Sequence, residues 1–144
     1  MSLPDPVDGM SIAYSESRDL PEAQVVALYA ANGWSSAGKP AQLLGALRGS
    51  HALVSAWDGE RLVGLGNALS DGHLVVYYPH LLVLPSHQGK GVGTQILARL
   101  KSRYAGFHQH ILIADGRAID FYLRRGFRRA GATQPMWIYD GEDH

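Results

Sequence analysis

The sequence predicts an α/β domain: a mixed, mostly antiparallel sheet of six to seven strands flanked by about four helices. An apolar run over residues 81–84 enters a glycine-rich turn, Gln88-Gly89-Lys90-Gly91-Val92-Gly93-Thr94, and leaves it with helical periodicity. Strand-like runs at 51–57 and 61–69 meet across Asp58-Gly59, a dipeptide that supplies the positive φ of a tight hairpin. The strand, helix, strand succession over 73–114 has crossover length, so its two strands are expected to lie parallel with the helix packed over them.

Taken in chain order, Pro4 and Pro6 make residues 1–9 a loose leader, and Ile12 and Tyr14 alternate within a first strand at 10–16. Residues 21–32 read as a helix, because Pro21 stands where an early-turn proline is tolerated and Val25, Leu28 and Tyr29 repeat at helical spacing. Gly33 ends it, and Trp34 to Gly38 form a loop. A shorter helix begins near Pro40, turns Leu43, Leu44 and Leu47 inward, and closes at Gly49. After the hairpin, Asp71-Gly72 repeats the turn device and residues 73–84 form one long strand, bent where Pro79 lacks the N–H a ladder needs. The next helix sets Val92, Ile96, Leu97, Leu100 and Tyr104 on one stripe. A strand at 108–114 follows, then a helix capped by Asp115 and terminated by Gly126. Residues 127–129 and 135–140 are expected to close the sheet as an antiparallel pair.

A chain of 144 residues fits one domain with a core that needs no disulfides. Its 13 basic and 13 acidic side chains cancel, so no general field draws it to nucleic acid or an anionic membrane, and small-molecule partners are expected. Cysteine is absent, which removes thiolate nucleophiles and thiolate metal sites together. The N-terminus has no apolar run of signal length and no stretch of eighteen apolar residues occurs, so the default expectation is a cytoplasmic protein.

The turn at 88–94 is a phosphate cradle: bare glycines let an oxygen-rich ligand approach, and the helix behind presents unsatisfied amides and the positive end of its dipole. What it lacks narrows the ligand. Gly89-Lys90 is followed by Gly91 rather than the Ser or Thr of a mononucleotide loop, and the GxxxxGK spacing at Gly33 to Lys39 is followed by Pro40. The dinucleotide pattern fails because Thr94 stands where a third glycine belongs. What fits is QxxGxG, at Gln88, Gly91 and Gly93, directly after an apolar strand. This resembles the coenzyme A pyrophosphate loop of the GCN5-related N-acetyltransferase (GNAT) superfamily. About two dozen residues on, Asp115, Ala118, Phe121-Tyr122 and Gly126-Phe127 match the order and spacing of the second signature of that superfamily, in which Asn stands at the Asp115 position.

The resemblance, which covers the C-terminal half, implies a GNAT fold with a central parallel pair of strands that splay apart around acetyl-CoA. It implies that the backbone of Leu81, Leu82 and Val83 pairs with pantetheine amides and that the amides of Gly89, Lys90, Gly91, Val92, Gly93 and Thr94 hold the pyrophosphate, with Gln88 alongside. Lys90 reads most simply as a solvated side chain. Tyr122 occupies the position of the general acid for the departing thiolate, since a phenol stays protonated at neutral pH. Asp115 can accept a hydrogen bond from the cofactor but, unlike Asn, cannot donate one.

The implied reaction moves an acetyl group from acetyl-CoA to an amine, small-molecule or peptide, with no metal. The carboxylate base common in the family is missing; His80 is the first choice for proton acceptance and His110 the second, because imidazole titrates near neutrality. His108 and His110 share a strand face but lack a third metal ligand. Trp34 and Tyr77 are expected beside the acceptor. Arg124, Arg125, Arg128 and Arg129 form a basic cluster that reads as a solvated helix end, with one of them near the cofactor's 3′-phosphate as an alternative. A non-catalytic coenzyme A-binding regulatory module is the rival reading, and a homodimer through edge strands remains open.

Overall fold

The hairpin at Asp58-Gly59 forms the middle of the sheet. In the computed structural model, which describes residues 11–142, β2 (Ala52–Asp58) and β3 (Arg61–Ser70) pair antiparallel from Ala52 and Ala68 to Asp58 and Arg61. Gly59 sits at φ +61 in the turn between them. The first strand, β1 (Ile12–Ser15), adds antiparallel to β2. The leader expected at 1–9 lies outside the described residues.

On its other side β3 changes partner midway. Gly64, Leu65 and Gly66 pair with Val83, Leu82 and Leu81 of β5 (Leu81–Val83), whereas Leu69 and Ser70 pair with Tyr77 and Val76 of β4 (Val75–Tyr77). Between the Gly66–Leu81 and Leu69–Tyr77 pairs β3 advances three residues and the facing chain four, which is a β-bulge. The single bent strand expected over 73–84 is therefore two strands, broken at Tyr78-Pro79-His80. Asn67 fastens the break: its N–H donates to the His80 carbonyl (3.1 Å) and its Oδ1 accepts the His80 N–H (3.0 Å). Its Nδ2 donates to Ser50 Oγ at 3.0 Å, so a side chain only 2% exposed has its polar groups satisfied.

The crossover behaves as expected at one end only. β4 pairs parallel with β6 (Gln109–Ile111), and the Tyr78 N–H reaches the Ile111 carbonyl at 3.0 Å. β5 stays with β3, so β5 and the chain after Ile111 part into a wedge. The expected closing pair at 127–129 and 135–140 does not form, and β6 ends the sheet. Pro135 has no N–H to give a ladder, and the segment instead anchors through Tyr139, whose hydroxyl lies 2.8 Å from Ser35 Oγ.

Helix α3 (Val92–Ser102) packs on the face of the sheet where Gly64 and Gly66 have no side chains. Val63 and Leu65 point the other way and are fully buried under the layer that holds α1 (Glu22–Ala31), which contacts β3 and β5. α2 (Pro40–Arg48) packs beside α1 and buries Leu43, Leu44 and Leu47, as its spacing indicates. The last helix, α4 (Arg117–Leu123), ends before Gly126, whose φ of +92 lets the Phe127 N–H bond back to the Tyr122 carbonyl at 3.1 Å. Among the described residues, no helix is long and apolar enough to cross a membrane.

Candidate active site

The wedge is a cleft of about 780 Å³ between β5 and Ile113, Ala114 and α4. Strand alternation decides which backbone groups face it. The His80 carbonyl and the Leu84 N–H bond to β3, to Asn67 (3.1 Å) and Val63 (2.8 Å). The backbone of Leu82 therefore also faces β3, and that of Leu81 and Val83 faces the cleft. The Val83 carbonyl already accepts from Gln88 Nε2 (2.9 Å) and Asn32 Nδ2 (3.1 Å). Gln88 thus braces the strand with its side chain.

Past a 3₁₀ turn at Pro85–His87 the chain enters the cradle. Gly89 (φ +75) and Gly91 (φ +88) hold conformations that L side chains rarely adopt. Gln95 is the first residue of α3 whose amide is bonded within the helix, to the Gly91 carbonyl at 3.1 Å. The amides of Val92, Gly93 and Thr94 consequently point out of the helix start, into the cleft those residues line. Gly93 has no positive φ; a Cβ there would only touch Phe121 and Val83, at 3.6 and 3.7 Å. Lys90 is not part of the wall.

His87 is a site residue the sequence pattern did not disclose. Only 6% exposed, it lines the cleft and carries Nε2 3.0 Å from Asp58 Oδ2 and Nδ1 2.7 Å from Ser86 Oγ. It ties the cradle to the end of β2, a contact between distant segments that no local spacing encodes. Asn32, Arg117 and Asp120 also line the cleft, unanticipated by any local pattern, and so do Arg124 and Arg125 of the basic cluster, for one of which a place near the cofactor is the alternative reading.

Tyr122 of α4 lies in the wall with its ring edge-on to Phe121 (5.1 Å) and Phe127 (5.7 Å). Burial pushes its phenol up to about 12. Asp115 also lines the cleft, but it does not cap α4 with its side chain. Gly116, at φ +51, takes the N-cap position, and only the Asp115 carbonyl contributes, accepting from the Ala118 N–H at 3.0 Å.

Trp34 is in the wall and meets Tyr29 and His80 edge-on, at 5.5 and 5.2 Å. His80 touches this cluster without forming wall itself, and its Nδ1 lies 2.7 Å from the Tyr29 hydroxyl. Tyr77 stands off the wall, in a cross-strand row with Leu69 and Ile111, and partial burial raises its phenol pKa. His110 is also off the wall: its Nδ1 is 2.8 Å from the Tyr78 hydroxyl, and burial, followed by the Lys101 charge, lowers its pKa. Among the described residues no three of His, Cys, Asp and Glu cluster to hold a metal.

The structure thus gathers Leu81, Leu82, Val83, Gln88, Gly89, Gly91 to Thr94, Asp115, Tyr122 and Trp34 around one slot, and leaves Lys90, Tyr77 and His80 outside its wall. Such a slot suits a linear ligand with amides along its length and an anionic end at the helix start.

Residues 18–136 match the acetyltransferase (GNAT) domain family. No curated protein matches the chain. Among solved structures, the GNAT-family acetyltransferase SP0256 of Streptococcus pneumoniae TIGR4 is 27% identical with a TM-score of 0.79, over 91% of this chain and 100% of that one. The protein SA2161 of meticillin-resistant Staphylococcus aureus is 23% identical with a TM-score of 0.77, over 90% and 99%. The aminoglycoside N-acetyltransferase AAC(6')-Iy, solved in complex with CoA, shares the fold at 15% identity and a TM-score of 0.66, over 92% and 96%.

Proposed function

Because the chain belongs to the GNAT acetyltransferase family, we propose that it moves the acetyl group of acetyl-CoA directly to an amine, carried by a small molecule or a peptide. The observation that carries this reading is the wedge, with an amide cradle at one end and Tyr122 in its wall. The outward amides of Val92 to Thr94 suit a diphosphate, and the cleft-facing N–H and carbonyl of Leu81 with the Val83 N–H suit the amides of a pantetheine arm. A protein of the same fold holds CoA.

Acetyl-CoA supplies a thioester: an amine forms the new C–N bond as the C–S bond breaks, so nitrogen must lose a proton and sulfur must gain one. Tyr122 serves the sulfur. An ordinary thiol has a pKa of about 8.5, well below that of this buried phenol, so complete transfer from Tyr122 to a thiolate is uphill. The phenol instead donates a hydrogen bond that stabilises charge growing on sulfur, and the released thiolate takes its proton from water. His80, set behind Trp34, receives the proton from nitrogen through water, and Trp34 guides the acceptor. Asp115 faces the cofactor as a hydrogen-bond acceptor. Holding both reactants in one slot supplies the remainder of the rate.

Calorimetric titration with acetyl-CoA, followed by thiol release over a panel of amines, tests this. Turnover of at least one amine, weakened at least tenfold in Tyr122→Phe, is expected. Binding without turnover across the panel, with Tyr122→Phe indistinguishable, replaces the enzyme with a regulatory CoA-binding module.

A further inference from the structure

Resting on that reading, we propose that Arg125 and Thr94 act as one unit, a side-chain clamp that grips the diphosphate of the donor beside the backbone amides. Arg125 is held in place from three sides. Its guanidinium lies 3.7 Å over the Phe121 ring, Nη1 donates to the Phe121 carbonyl at 2.8 Å, and Nε donates to Thr94 Oγ1 at 3.0 Å. Nη2 donates to the same hydroxyl oxygen. Three of the five guanidinium N–H groups are thereby committed to the protein, leaving two, one on each Nη, for a ligand.

The consequence for Thr94 is as specific. A hydroxyl has two acceptor lone pairs and one proton. Arg125 occupies the acceptor side twice, so the proton is what Thr94 has left to offer. Thr94 sits in the first turn of α3 beside the outward amides, and both it and Arg125 line the cleft. Backbone N–H groups, one hydroxyl proton and a preoriented guanidinium fork then converge on one anion, the geometry in which Arg binds phosphate oxygens in pairs. Asp115 and Asp120 line the same cleft, so a fixed cation also offsets the repulsion a diphosphate meets there. Without Thr94 the Arg125 guanidinium keeps only its Phe121 contacts and can swivel over that ring, and Thr94 without Arg125 could turn its proton away.

The test uses three probes on the full chain: acetyl-CoA, its 3′-dephospho form, and S-acetylpantetheine, which lacks the diphosphate. In Arg125→Met, affinity for the first two is expected to fall together by about ten- to a hundredfold, as the loss of a charged hydrogen bond implies, with S-acetylpantetheine unaffected. Thr94→Val is expected to weaken the same two probes, and the double variant to be no weaker than the worse single. Thermal melting of each variant separates misfolding from lost binding, and Arg125→Lys, which keeps the charge without the fork, should recover only part of the loss. Unchanged acetyl-CoA affinity in Arg125→Met, a loss confined to the 3′-phosphorylated probe, or additive single effects overturns the clamp while leaving acetyl-CoA binding intact. If the unaltered protein binds none of the probes, the transferase reading fails and the clamp with it.

Discussion

The hydroxyl of Tyr29 lies 2.7 Å from Nδ1 of His80, inside a cluster closed by Trp34. Tyr29 is fully buried, and burial raises its pKa, so it remains a phenol. The bond has two forms, and a proton-accepting His80 requires one of them: Nδ1–H donated to the phenol oxygen, with the lone pair on Nε2. Tyr29→Phe removes the bond that holds this form and is expected to lower kcat about tenfold while leaving acetyl-CoA binding unchanged. Unchanged kcat, or nitrogen NMR shifts that place the neutral ring's proton on Nε2, takes His80 out of the base role.

Asn67 decides whether the wedge opens where it does. Its side chain accepts the His80 N–H exposed by the bulge and also donates to buried Ser50. Asn67→Ala strands the His80 N–H and leaves Ser50 Oγ with only its bond to the Ala46 carbonyl; it is expected to cost about 1–3 kcal/mol of stability by urea denaturation, with turnover reduced further because the bulge carries His80. Ser50→Ala cuts the bonds of Ser50 Oγ to the Ala46 carbonyl and from Asn67 Nδ2 but keeps the Asn67–His80 bonds, so it should lower stability to a similar degree and leave turnover nearly unchanged. Equal effects of the two substitutions on turnover would show that the bulge holds without Asn67.

Much of this architecture was legible because local signals agreed with one another. The turn glycines, the proline at the start of α2, the stripe on α3 and the hairpin dipeptide each specify a backbone conformation within a few residues. What escaped depends on distant partners. Pro79 announced a bend, but splitting 73–84 into two strands required Asn67, twelve residues upstream of Pro79, to take over a ladder bond. Asp115 had the right chemistry for a cap, yet Gly116 assumed the cap's backbone conformation and displaced it by one position. Residues 135–140 have strand-like composition, but a strand also needs a partner edge, and β6 is three residues long. The glycine turn and the helix start behind it are local patterns, whereas His87 with Asp58 and Arg125 with Thr94 join segments 29 and 31 residues apart.

Gly66 shows a packing constraint that a strand pattern conceals. A Cβ there would stand 2.7 Å from Ile96 Cγ2 and 3.0 Å from Leu100 Cδ1. Relief requires α3 to lift from the sheet, and overpacking of this kind costs about 1–3 kcal/mol. At Gly64 the nearest approach is 3.0 Å, to the terminal Ile96 Cδ1, which can rotate aside. Removing a glycine also restricts the unfolded chain, worth about 0.4–1 kcal/mol in favour of folding. Gly64→Ala is therefore expected near neutral and Gly66→Ala clearly destabilising in chemical denaturation. Because α3 carries the cradle amides, Gly66→Ala should also weaken acetyl-CoA binding, and equal stabilities of the two variants would remove the close-approach argument.

Tyr122 links the catalytic proposal to alkaline stability. Burial raises its pKa in the folded protein to about 12, against about 10 for a solvated phenol. Below the unfolded value both states carry the proton and the group is neutral to folding. As pH rises above it, the unfolded chain ionises first, so stability is lost until pH passes the folded value. At pH 11 the loss from this one residue is about 1.4 kcal/mol. Tyr122→Phe abolishes that component, so its stability relative to the unaltered protein should improve by about that amount between pH 8 and pH 11. Buried Tyr29 and Tyr78, both raised mainly by burial, add the same trend to both proteins and cancel in the difference. The same shift means that Tyr122 keeps its proton across the neutral range, so no basic limb of activity below about pH 10 belongs to it. Denaturation curves at the two pH values that differ by a constant offset would place the phenol in water, and a solvated phenol is not the sulfur's hydrogen-bond donor in a closed slot.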